Sequence, residues 1–135
     1  MSQEKARRII KDAGHSFLAT CVNGQPRVRP MKFVVTADFK FWCSTVNISG
    51  KVKEFEQNGR VEICWVDSSK NQLRVEGILD MSGGPEKKRK LFELHPGMRG
   101  LFKDEYDPRL VHVEVVPTNV RWKEHKFGEY HRIEL

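Results

Sequence analysis

Apolar residues along this chain recur mostly at every second position, in short runs broken by turn residues. That rhythm belongs to strands. The first run is "SFLATCV" (16–22), and the Asn23-Gly24 pair after it is a strong hairpin signal. The return segment "QPRVRPMKFVVTA" alternates in part. Val28, Phe33 and Val35 are its expected core residues, while Pro26 and Pro30 confine it to a sheet edge or a bulge. A turn at Asp38 leads into "FKFWCS". "RVEICWV" and "QLRVEGILDM" alternate again on either side of a turn at 67–71 and suit a second hairpin. "LVHVEVVP" is a further strand, and "NVRWKEHKFGEYHRIEL" supplies one last strand and a tail. The segment "HPGMRGLFKDEYDPR" reads as irregular.

Three segments change period. Over 3–13 the residues Ile9, Ile10 and Ala13 share one helical face, with Gly14 as a C-terminal cap. Residues 51–57 form a short charged helix stopped by Asn58-Gly59. Gly83-Gly84-Pro85 opens another helix through Leu94, with the proline at a favourable first-turn position. The sum is six or seven strands with two or three short helices. Because the strands come mostly in adjacent pairs, the expected fold is mainly β, an antiparallel sheet curling into a small barrel.

At 135 residues and 39% hydrophobic content, the chain fits one domain, 1–135, with its own core. So small a domain buries a modest share of its surface, and a dimer would bury more. No apolar run approaches the ~20 residues of a membrane helix. "MSQEKARRII" lacks the apolar centre of a signal peptide, so the cytoplasm is the expected location. Cys21, Cys43 and Cys64 lie far apart in three strand-like segments, without paired spacing. They read as buried free thiols. The formal charge of +6 calls for an anionic partner, either nucleic acid or a small phosphorylated ligand. The densest basic run, "EKKRK" (86–90), precedes Leu91, Phe92 and Leu94 and reads as the outer face of an amphipathic helix.

The stretch "FWCSTVNISGKVKEFEQN" (41–58) places hydroxyl, glycine and cationic residues between a strand and a helix. With Ser49 as the cap, the backbone N–H groups at the start of that helix favour an anion. Gly50 lets a ligand approach the backbone, Ser44, Thr45 and Ser49 carry hydroxyls, and Lys51 carries charge. The preceding strand adds Arg27, Arg29 and Lys32, and arginine suits bidentate phosphate contact. The pattern is neither a Walker phosphate loop nor a GxGxxG turn.

The order "FLATCVNGQPRVRPMKFV … FWCSTVNISGKVKEFEQNGRVEICWV … QLRVEGILD" resembles the pyridoxamine 5'-phosphate oxidase-like superfamily, the FMN-binding split β-barrels, over residues 5 to 122. The resemblance implies FMN, its phosphate held by Arg29, Thr45, Ser49 and Lys51 with Ser44 and Gly50 beside them. Met31 and Lys32 would lie along the isoalloxazine ring, Gln72 would reach the flavin from a neighbouring strand, and Trp122 would approach the groove. It implies a homodimer with the cofactor at the interface and a small-molecule substrate reduced or oxidised through the flavin. Where the oxidase proper has an extra arginine beside the turn lysine, this chain has Gly50, and "KFGEYHRIEL" differs from the oxidase's C-terminal segment. The likeness is therefore to the small general-stress-type members. A deazaflavin would fit the same phosphate turn.

Of the five histidines, His15, His95, His112, His125 and His131, none shows HxxxH spacing, so no metal site is expected; His112 reads as a strand position and the others as loop or tail. Some relatives of this fold bind haem, for which His125 is the candidate axial ligand. No Ser/His/Asp or Cys/His arrangement points to covalent catalysis, and no catalytic side chain is assigned. Glu62, Glu76 and Glu114 read as solvated or as partners of strand arginines. A non-catalytic flavin or haem carrier is one rival reading. A basic nucleic-acid module is the other, and the chain lacks an aromatic RNA-reading motif for it.

Overall fold

The computed structural model describes residues 3–124 and 127–135. Helix α1 (Gln3–Ala13) turns Ala6, Ile9 and Ile10 inward, as its spacing predicts. Strands β1 (Ser16–Val22) and β2 (Gln25–Met31) form the hairpin, with Asn23 and Gly24 both at positive φ in its turn. The two-residue β3 (Val34–Val35) pairs with β4 (Phe41–Val46), which leads to α2 (Gly50–Gln57). A second hairpin joins β5 (Arg60–Val66) to β6 (Gln72–Asp80). Helix α3 (Pro85–Leu94) and a 3-10 turn (Pro96–Gly100) precede β7 (Leu110–Lys123) and β8 (His131–Ile133).

The strands run β2-β1-β5-β6-β7-β4-β3 in one antiparallel sheet, with β8 also on β7, and the sheet does not close. This is the split barrel expected, with eight strands among the described residues in place of six or seven. Strand β2 is at the edge, where Pro26 and Pro30 leave no interior ladder bond unmade.

Four expectations change. Val28 is not core: Arg27, Arg29 and Met31 take the inward positions of β2, and Val28, paired with Ala19, is 68% exposed on the outer face. Cys21 is likewise outward and exposed, while Cys43 is buried and all three thiols are free. His131 lies on a strand. And β7 runs unbroken through Pro117, because a bulge absorbs the proline: Glu76 pairs with Asn119 but Gly77 with Pro117, leaving Thr118 extra. Thr118 Oγ1 donates to the Glu76 carbonyl at 3.2 Å. A β-carbon on Gly77 would come within 2.5 Å of Val115 Cγ1, so the two strands close only over glycine.

The main core fills the barrel around Trp65, Phe33, Phe41, Leu18 and Ile63, closed by α1. A second layer lies where Trp42 and Leu110 meet Leu91, Phe92, Met98 and Phe102. His112 is buried at that layer, its ring edge-on to Trp42 at 4.5 Å and packed against Gly83, with no hydrogen bond to either ring nitrogen among the described residues. Burial lowers its pKa to about 4; the Glu114 and Asp80 carboxylates pull the other way, while Lys87 and Lys88 add to the fall. The unfolded chain therefore takes up this proton near pH 6.5 and the folded chain only near pH 4. Stability should fall as pH drops through that window, by up to ~3 kcal/mol from this group. Urea denaturation at a series of pH values should show a shallower acid loss in His112→Phe than in the parent.

Candidate functional site

Strand β4 delivers the chain to a turn at Asn47-Ile48, and α2 begins at once. Ser49 is the cap: its backbone is extended and its Oγ accepts from the Lys51 N–H at 3.2 Å. The first turn of α2 holds no acidic residue, so the partial positive charge of the helix start is not offset there. The space beside Gly50 is open: outside its chain neighbours and its own helix, no atom of the described residues lies within 4 Å of where a β-carbon would sit. Against this helix start lies the inward face of edge strand β2. Arg27, Val28, Arg29, Ser49, Gly50, Lys51 and Glu54 together line a hollow of about 420 Å³.

The two arginines differ in what they can do. Arg29 is engaged on every side. Its Nη1 donates to Thr20 Oγ1 at 2.8 Å and to the Leu18 carbonyl at 3.4 Å, and its Nη2 meets Glu54 Oε2 at 2.5 Å. Its side chain is only 16% exposed. Arg27 touches the other oxygen of Glu54 at 3.1 Å but remains 59% exposed. Two arginines, a lysine, a hydroxyl and a helix N-terminus suit a phosphomonoester, and Glu54 is the one group of opposite sign.

Of the residues expected at the site, Arg29, Ser49, Gly50 and Lys51 share this hollow. Ser44 and Thr45 stand on the preceding strand, opposite His112 and Val111, with Thr45 buried. Met31 packs into the core from the end of β2, and Lys32 is exposed just past it. Gln72 and Trp122 lie elsewhere. Gln72 begins β6, paired with Lys123, and its neighbour Leu73 is fully buried, so Gln72 faces out of the sheet while Arg29 faces in. Trp122 faces in, its ring beneath Lys5 and beside His131 and its indole N–H unpaired among the described residues. Along β7 it stands ten residues from His112, the partner of Ser44, on the order of 30 Å of strand. The hollow of one chain therefore does not include Gln72 or Trp122.

Sequence reasoning grouped Arg27 with Arg29 and overlooked Glu54. The spacing offered no signal for it, because Glu54 reads as one of several solvated charges on a short helix.

The outer face of the β1–β2 hairpin is unusually apolar. Phe17, Ala19, Cys21, Pro26, Val28 and Pro30 pair across it, and Phe17 is 49% exposed. Beyond it, charges pair with one another, Glu62 with Arg74 and Arg121 and Glu76 with Arg121, and the Asn119 amide also donates to Glu76. Glu114 differs. It is buried, accepting from Trp42 Nε1 at 2.8 Å and lying 3.3 Å from Lys87 of α3, which is no strand arginine. Among the described residues no three His, Cys, Asp or Glu side chains are grouped to hold a metal ion. His125 lies outside the described residues.

The family model described as pyridoxamine 5'-phosphate oxidase matches residues 2–123. No curated protein matches the chain. Among solved structures, General Stress Protein 26 from Bacillus anthracis str. Sterne superimposes with a TM-score of 0.78 at 22% identity, covering 97% of this chain and 98% of that one. A pyridoxamine 5'-phosphate oxidase-related, FMN binding protein from Nostoc punctiforme gives 0.72 at 18% identity, over 98% and 96%. A heme binding protein from Mycobacterium smegmatis gives 0.79 at 13% identity, over 98% of this chain and 57% of that one.

Proposed function

Because the chain belongs to the pyridoxamine 5'-phosphate oxidase family, we propose that it binds FMN and serves as a flavin-dependent oxidoreductase acting on a small acceptor. The observation that carries this reading is the hollow of Arg27, Arg29, Ser49, Gly50 and Lys51, whose donors match a phosphomonoester in type and charge. In this reading Arg27 and Lys51 meet the phosphate directly, the partly positive start of α2 faces it, and Arg29 holds the arrangement together from behind. When bound, the flavin supplies the redox chemistry, and the chain's part is to bind, orient and exclude water. A catalytic side chain is not required, and none is assigned.

The working unit of the proposal is a homodimer. Gln72 faces out of the sheet, on the side where Phe17 and Val28 leave an apolar patch exposed. A second copy seated on that face would cover the patch and bring its own Gln72 toward its neighbour's flavin, with Met31, Lys32, Ser44, Thr45 and Trp122 as the remaining candidate contacts. No helix among the described residues is long and apolar enough to cross a membrane. The cytoplasm is the proposed setting. Deazaflavin would use the same phosphate contacts.

The test is to load the purified protein with FMN, remove free ligand by gel filtration and record the visible spectrum and the mass by light scattering. The expected result is a retained oxidised-flavin spectrum on a dimer, bleached anaerobically by NADH or NADPH. A protein that emerges colourless would overturn the flavin assignment. A sharp Soret band after exposure to haem, with no flavin kept, would move the assignment to haem.

A further inference from the structure

Glu54 has the wrong sign for an anion site, yet it is held at its centre. It sits one turn into α2, and each of its carboxylate oxygens meets a different arginine: Oε1 with Arg27 and Oε2 with Arg29. Its side chain is 21% exposed, so the contact is partly shielded from water. The neighbouring charges on the hollow are Arg27, Arg29, Lys51 and Glu54, three positive and one negative, a net of +2. A phosphomonoester near neutral pH carries about −1.5 to −2.

We propose that Glu54 is a built-in counter-anion of the phosphate site: it keeps the two arginines aligned without ligand and trims the hollow's charge to that of one phosphomonoester dianion. The inference rests on the flavin reading and adds a regulation of affinity to it. An incoming phosphate shares Arg27 with Glu54, or takes Arg27 from it, while Arg29 stays with Glu54, Thr20 and Leu18. The site is thereby kept in shape at the cost of some affinity.

Four consequences separate this role from simple packing. Glu54→Gln removes the charge while keeping size and one acceptor, and should bind FMN about tenfold more tightly at low ionic strength, the gain shrinking as salt rises. Riboflavin, which lacks the phosphate, should bind both proteins equally. Ligand-free Glu54→Gln should melt about 2–6 °C lower, because Arg29 has lost its charged partner. Glu54→Asp keeps the charge and should bind FMN within about threefold of the parent.

The experiment is a fluorescence titration of FMN and of riboflavin into the parent, Glu54→Gln and Glu54→Asp, with melting curves of each in inorganic pyrophosphate. A gain in Glu54→Gln confined to FMN supports the counter-anion. FMN binding that is unchanged or weakened alike in both variants overturns it. Should none of the proteins bind FMN, the flavin reading fails by itself and pyrophosphate decides. Greater stabilisation of Glu54→Gln than of the parent retains the counter-anion, and equal stabilisation removes it.

Discussion

A chain carrying Arg27→Ala and Lys51→Ala together is expected to bind FMN about 100-fold more weakly, with little change in its ligand-free melting temperature. Each substitution removes one charge-assisted hydrogen bond to the proposed phosphate, worth ~1.5–3 kcal/mol. Arg27 is 59% exposed, and solvent screens part of its contribution, so the lower end of that range applies. Two such losses amount to ~3 kcal/mol, or about two factors of ten. Stability should hold because Arg27 is largely solvated and, among the described residues, its one ion pair is with Glu54, and exposed pairs of that kind are worth ~0–1 kcal/mol. Arg29→Ala should behave differently. It strips Thr20, the Leu18 carbonyl and Glu54 of one shared partner, so it should lower both the melting temperature and the FMN affinity. The comparison is made by flavin fluorescence at fixed ionic strength. A double variant that binds FMN within threefold of the parent would show that the phosphate, if bound at all, lies elsewhere.

The largest loss of stability is expected at Trp65. Its side chain is fully buried among Phe33 and Phe41, with ring centroids 6.4 and 5.5 Å away. Trp65→Ala should destabilise the protein by ~3–5 kcal/mol, a large share of the ~5–15 kcal/mol that holds a domain folded. Trp65→Phe should cost far less than its lost volume implies. The indole N–H of Trp65 has no hydrogen-bond partner among the described residues, and leaving a buried donor unpaired costs ~1–3 kcal/mol, which phenylalanine removes. Urea denaturation of the two variants measures the difference. Equal losses in both would overturn this expectation, because phenylalanine keeps the aromatic contacts and leaves the smaller cavity.

Much of this architecture was legible because its causes are local. Asn23-Gly24 adopts positive φ readily and so fixes the first hairpin, and Pro85 starts α3 where its missing N–H costs nothing. The cap at Ser49 was readable for the same reason, since a hydroxyl two residues from the N–H it accepts is a contact within one turn. The misreadings share the opposite property. Val28 looked like core because it is apolar, but its face is set by the pairing of β2 with β1, counted from Met31 inward. Pro117 looked like the end of a strand because the bulge that tolerates it needs Gly77, forty residues earlier in the chain.

By itself, then, the sequence determined most of the strands, the two hairpins of neighbouring strands and the strand-to-helix turn with its hydroxyls and lysine, all of which depend on contacts within a few residues. Only the tertiary structure decided that Arg29 is spent inside the chain while Arg27 stays open, that Glu54 stands between them, and that Gln72 faces away from both. Those outcomes depend on register and on which side of a sheet a residue occupies. A shift of one position reverses every face at no local energetic cost, so only the packing of the whole chain can choose.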